Sequence, residues 1–360
     1  MGQPRHRFFF LVFLSLEKFH QRIHRLIMAR RRRRSWIRRA IYSSRYRLGE
    51  YALRGSIRFF PYVPYRLWLG FTRLMARLAF ALFRDYRKRM EENVALVLAD
   101  EIPNPKDRSG LVWRAWLSFA RGILDTVAVM HWSKEQILST IELQGEEHIK
   151  RALEKGKGVL ALSAHLGNFT LIGARLAAAG YGFSAVIKQP PKQSFARLAD
   201  DYRAQIGVHT IAAKPRRDAV RGVLKALRQN RIVLVIADEF KSGDAMVDFF
   251  GLKVPAPRGP ATLALRTGAV TLPMFATRRA DDSLVLSVGE AIDPVELEDL
   301  EQSVLATTAA YTRCIEAAIR SFPDQWNWLG LPRRDGKFSR AQLARQWRAK
   351  QARAAQSILD

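Results

Sequence analysis

The second half of the chain alternates between short, mainly apolar runs and amphipathic stretches. The apolar runs are Val159–Ala164, Phe183–Lys188, Val208–Ala213, Ile232–Asp238, Val270–Thr277 and Leu284–Val288. Helical periodicity falls near 168–179, 192–206, 217–229 and 259–267, and a long helix is predicted over Glu298–Arg320. Strands apolar on both faces and separated by amphipathic helices predict a largely parallel sheet covered on both sides, hence an α/β fold with a central sheet flanked by helices. Upstream, Tyr86–Leu98 and Leu111–Trp132 carry apolar residues at three-to-four spacing, with a break at Ile102-Pro103-Asn104-Pro105. Lys337–Asp360 is basic and alanine-rich and reads as a peripheral helix. The expected organisation is an arm over 1–85, an α/β domain over 86–335 and a basic helix over 336–360.

The arm has its own pattern. Phe8–Leu16 follows Arg5 and Arg7 like the start of a signal peptide, but Glu17 and Lys18 end it after nine residues, without a small-residue cleavage site. Phe59–Phe83 is long enough to span a bilayer, which takes about 20 apolar residues in a helix. However, it carries Arg66, Arg73 and Arg77 at spacings that put them on one helical face. That is the pattern of a helix lying in the headgroup region, apolar side down, with its arginines reaching for phosphates. It predicts a chain that lies on a membrane rather than crossing it.

Charge sharpens the picture. The net charge is +27, and through residue 58 there are 16 Lys and Arg against two acids, Glu17 and Glu50. A run of five arginines, Arg30–Arg34, repels itself too strongly to stand idle and calls for an anionic partner such as lipid headgroups, an acidic carrier protein or nucleic acid. The arm contains Trp36, Tyr42, Tyr46 and Tyr51, yet the adjoining apolar 59–83 stretch favours lipid over nucleic acid. The single cysteine, Cys314, excludes an intramolecular disulfide and a cysteine-rich zinc site.

Candidate chemistry begins where the first apolar strand ends. His165-Leu166-Gly167-Asn168-Phe169-Thr170 follows Val159–Ala164. In open α/β sheets, ligands bind beyond the carboxyl ends of the strands. Gly167 permits close backbone approach, and Asn168 can cap the helix that follows. An isolated histidine there equally suits the satisfaction of turn groups, so the motif has to decide.

GKGVLALSAHLGNFT resembles the signature of the late (lauroyl/myristoyl) acyltransferases of bacterial lipid A biosynthesis, in the lysophospholipid acyltransferase-like superfamily. In these enzymes a strand runs into His-(four residues)-Asp/Glu. The resemblance continues in order through Arg89–Val97, Val186-Ile187-Lys188 with Arg203, and Ile236-Ala237-Asp238-Glu239. It resumes at Phe249-Phe250-Gly251, Pro257-Arg258-Gly259-Pro260 and Leu265-Arg266-Thr267-Gly268-Ala269, and closes with Phe322-Pro323-Asp324-Gln325-Trp326. It implies transfer of an acyl chain from acyl carrier protein or acyl-CoA to a hydroxyl of a glycolipid such as a lipid A precursor, with His165 as general base and no cofactor. It further implies work at the cytoplasmic face of the inner membrane. Gly167, Asn168, Lys188, Arg203, Arg258 and Arg266 are the candidate substrate contacts, the arginines for phosphate on the acceptor or on the carrier's arm. One position departs from the pattern, because Thr170 stands where the family has its acid. Either Asp238 or Glu239, at the end of another strand, orients His165 instead, or the histidine works unassisted, or the chain is a divergent, non-catalytic relative that binds membrane or carrier.

Overall fold

The computed structural model describes residues 50–51, 54–189, 193–240 and 243–331. The expectations for Phe8–Leu16, Arg30–Arg34 and Lys337–Asp360 lie outside these residues. The chain divides into two compact units after Arg58, and the second, from Phe59, carries all the elements below.

Helices α1 (Tyr65–Leu82), α2 (Arg84–Leu98) and α3 (Pro105–Val129) come first. The sequence pattern started α3 at Leu111; it starts at Pro105, because Asn104 accepts the Lys106 N–H and proline suits the first helical position. Then follow α4 (Lys134–Thr140), strand β1 (Ile141–Gln144), α5 (Glu146–Glu154), β2 (Val159–Ser163), α6 (Thr170–Ala178), β3 (Phe183–Ile187), α7 (Gln193–Gln205), β4 (Val208–Ala212), α8 (Arg216–Arg228) and β5 (Ile232–Ile236). The chain continues through β6 (Ala245–Phe249), β7 (Leu252–Ala256), α9 (Gly259–Thr267), β8 (Val270–Arg278), β9 (Leu284–Val288) and α10 (Leu300–Ser321).

Seven strands form one sheet in the order β1-β9-β8-β2-β5-β3-β4, and β6 and β7 form a separate hairpin. From β8 to β4 the strands run parallel. β9 turns back antiparallel to β8, and β1 runs parallel to β9. Every residue of β2 is buried, which accounts for a run without alternation. One apolar cluster fills each face of the sheet, with α2, α9 and α10 over one side and α5 and α6 over the other.

Helix α1 buries only Ala76. It is fixed to α3 by the Trp116 Nε1–H donated to Ala76 O (3.1 Å) and by the Tyr65 hydroxyl donated to Asp125 (3.3 Å). Outward it presents Leu67, Phe71, Leu74, Leu78 and Leu82, joined by Phe119 and Ile123 of α3. Arg66, Arg73 and Arg77 are exposed on the same helix. Among the described residues, no helix is long and apolar enough to cross a membrane.

Candidate active site

Strand register builds the site. Ser163 of β2 is paired with Ile236 of β5, and the Ala237 N–H extends the ladder to Ser163 O (3.0 Å). Two residues further along each strand stand His165 and Asp238. Because side chains alternate along a strand, both emerge on the same side. Register thus separates the two acid candidates: Asp238 is 1% exposed and faces His165, whereas Glu239 next to it is exposed.

Asp238 Oδ1 lies 2.7 Å from His165 Nδ1. Asp238 Oδ2 accepts the His165 backbone N–H and the Trp326 Nε1–H, both at 2.8 Å. A carboxylate only accepts, so Nδ1 carries the ring proton and Nε2 is the unprotonated nitrogen of the neutral ring. The histidine side chain is 35% exposed, whereas that of the aspartate is buried. Phe169 meets the imidazole edge-on, with ring centroids 5.4 Å apart.

The loop bearing His165 is fixed along its length. Gly167 donates to Gln325 O (2.9 Å), and Asn327 donates to His165 O (3.0 Å), so residues 165–167 and 325–327 zip together. Asn168 N–H reaches Ala276 O at 2.9 Å. Gly167 has φ +59°, and a Cβ there would stand 2.1 Å from Ala276 O, so glycine is required by conformation and by space. Behind the zip, Arg89 of α2 donates to Leu329 O and Leu331 O (3.0 and 2.8 Å), and Asn93 donates to Trp328 O (2.6 Å).

Thr170 sits in a different network. Its hydroxyl is 2.8 Å from that of Thr126, and it also donates to Asn168 Oδ1. Thr126 Oγ1 and Asn168 Nδ2 both donate to Gly122 O. The family's acid position therefore ties the start of α6 to α3. Asn168 was expected to cap this helix, but Phe169 holds the N-cap position without a side-chain cap; Asn168 accepts the Thr170 N–H from one residue earlier (3.2 Å), and its amide is committed inside the protein.

The remaining candidates lie apart from this pair. Lys188 is exposed just beyond β3. Arg203 of α7 binds Asp200 (2.6 Å) and Thr210 (2.9 Å). Burial pushes the Asp200 carboxyl up, but hydrogen bonds from Arg203 and Gln189 outweigh it and hold the group below its ordinary value. Arg258, before α9, pairs with Glu301 at 2.5 Å, and Arg266 is exposed in the last turn of α9. Cys314 is not poised as a nucleophile, since burial pushes its thiol up. Trp326, Asn93, Thr126 and Gly122 carried no assigned role in the sequence reading. Trp326 stood in the closing motif, but nothing local signals that it meets Asp238.

A buried acid paired with a partly exposed histidine at the carboxyl edge of a parallel sheet is an arrangement that general-base enzymes use. The matches to known proteins specify which. Residues 42–333 match the model of the bacterial lipid A biosynthesis acyltransferases, and the chain belongs to that family. It is therefore an acyltransferase. It is 26% identical over 294 residues to the phosphatidylinositol mannoside acyltransferase of Mycolicibacterium smegmatis, covering 78% of this chain and 93% of that one. It is 25% identical over 280 residues to the lipid A biosynthesis lauroyltransferase of Escherichia coli, covering 75% and 85% respectively. The palmitoleoyltransferase of Escherichia coli is 22% identical over 256 residues, covering 69% and 80%.

Proposed function

We propose that the chain transfers a fatty acyl group from a thioester, carried by acyl carrier protein or coenzyme A, to a hydroxyl of a lipid A precursor or related glycolipid. His165 is the base and Asp238 its orienting acid. The carrying observation is the 2.7 Å contact between His165 Nδ1 and Asp238, which leaves Nε2 as the proton acceptor. The acceptor hydroxyl gives its proton to Nε2 as its oxygen attacks the thioester carbonyl. The imidazolium, stabilised by Asp238, then returns the proton to the departing thiolate as the C–S bond breaks. No covalent enzyme intermediate is needed.

The choice of acceptor class rests on the relatives, which are named for phosphatidylinositol mannoside and for lipid A. Association with an anionic lipid surface is supported by the exposed apolar stripe of α1 and its three exposed arginines, and the cytoplasmic face of the inner membrane is the site the family resemblance implies. Lys188 and Arg266 are the candidate phosphate contacts, while Arg203 and Arg258 would have to share their acids with a ligand. Glu239, the other acid candidate, is exposed beside the pair and is not assigned the orienting role. The test is transfer from labelled acyl carrier protein and from acyl-CoA by the full chain in anionic vesicles, with lipid A precursor or phosphatidylinositol mannoside as acceptor. Transfer by wild type that His165→Ala abolishes is expected. Transfer that survives His165→Ala would remove the histidine from the chemistry.

A further inference from the structure

We infer that Trp326 is a positioning residue whose indole N–H sets the orientation of the Asp238 carboxylate, and through it the tautomer of His165. The inference rests on the general-base reading above.

Asp238 is buried, and among the described residues its three hydrogen-bond donors are the His165 backbone N–H, His165 Nδ1 and Trp326 Nε1. Two of the three belong to the residue being oriented. A displacement of His165 would take both with it. Rotation of a carboxylate about Cβ–Cγ is soft, so the plane of Asp238 needs an independent donor to fix it. Trp326 supplies that donor from the far end of the domain.

Trp326 is itself held without freedom. It is 1% exposed and packs edge-on against Trp328 (4.9 Å, 78°) and against Phe249 of β6 (5.8 Å, 64°). Its backbone is bridged to Leu166, the residue after the base. Trp328 Nε1 donates to Pro323 O (2.7 Å), and Trp328 O takes the amide of Asn93. Helix α2, the 323–331 loop and the indole thus form one rigid support for the acid. Its output is a single hydrogen bond to a buried charge, and bonds of that kind are the strong ones.

The experiment replaces the indole of Trp326 by its benzothiophene isostere, in which sulfur stands for the N–H, alongside Trp326→Phe and Asp238→Asn. Loss of one hydrogen bond to a charged group is expected to lower kcat about 10- to 100-fold. KM should stay within twofold, because the indole does not touch substrate. Melting of the isostere should follow wild type, since its shape is kept. Nitrogen-15 spectra of the histidine ring should show the Nε2–H tautomer appearing in the isostere and absent from wild type. Wild-type kcat in the isostere, with Asp238→Asn inactive, would overturn the role of Trp326 and leave the histidine–aspartate reading standing. Wild-type kcat in Asp238→Asn would sink both.

Discussion

Replacing Asp238 by asparagine changes one atom in volume terms, yet the surroundings dictate a large effect. Two N–H groups, from the His165 backbone and the Trp326 indole, converge on Oδ2 at 2.8 Å each. The carboxamide has to place its oxygen there, because its NH2 would leave two buried donors facing a donor at about 1–3 kcal/mol apiece. The NH2 then points at His165 Nδ1, which must accept. The ring proton moves to Nε2, and the nitrogen facing the substrate can no longer act as base. The same exchange in a hydrolase triad lowers kcat by about 10⁴, or about 5.5 kcal/mol at 1.36 per decade. The assay is initial-rate acyl transfer by the full chain in vesicles, with circular dichroism and melting to show that the variant folds. A folded Asp238→Asn protein working within tenfold of wild type would refute the assignment of Asp238 and the tautomer argument with it.

Thr170→Glu, which restores the family's residue, should give no gain in rate, because Nδ1 is already engaged by Asp238. The variant should melt lower by the equivalent of about 2 kcal/mol, since it breaks the hydroxyl contacts to Thr126 and Asn168. A rate increase would contradict this. Asp200, its carboxyl held below the ordinary value, stabilises the fold above the unfolded pKa and loses that contribution as pH falls through the folded one. Asp200→Asn should therefore melt lower than wild type at pH 7, with the gap narrowing as acid is added. Leu74→Glu with Leu78→Glu, each side chain about half exposed on α1, should weaken flotation with anionic vesicles by roughly 30-fold, from about 2 kcal/mol of lost apolar contact. Unchanged flotation would remove α1 from the interface.

The sheet was legible because β2 and β5 are buried on both faces, so their sequences read as unbroken apolar runs. The return of β9 was not anticipated, although the short link after β8 is itself the mark of an antiparallel pair. The β6–β7 hairpin was hidden by its turn. Phe250 and Gly251 both have positive φ, and phenylalanine is a poor advertisement for a position usually given to asparagine or glycine. β1 has only four residues, too few to set a pattern. At the site, His165 and the pair Asp238/Glu239 followed from strand ends, but choosing between the acids needed the register of two strands. Trp326 lies 88 residues beyond Asp238 in the chain, and no local signal reports a contact across that separation.

The zip between residues 165–167 and 325–327 also has a temporal meaning. During synthesis His165 and Asp238 leave the ribosome long before the loop that locks them. The sheet from β2 to β5 can collapse on its apolar faces while Gly167 and Asp238 still lack their last partners. The hydrogen bonds that hold the His165 loop are therefore among the last that a chain made from its N-terminus can complete. A chain ending before Gln325 would lack both the Gln325 carbonyl that receives the Gly167 N–H and the Trp326 indole that meets Asp238.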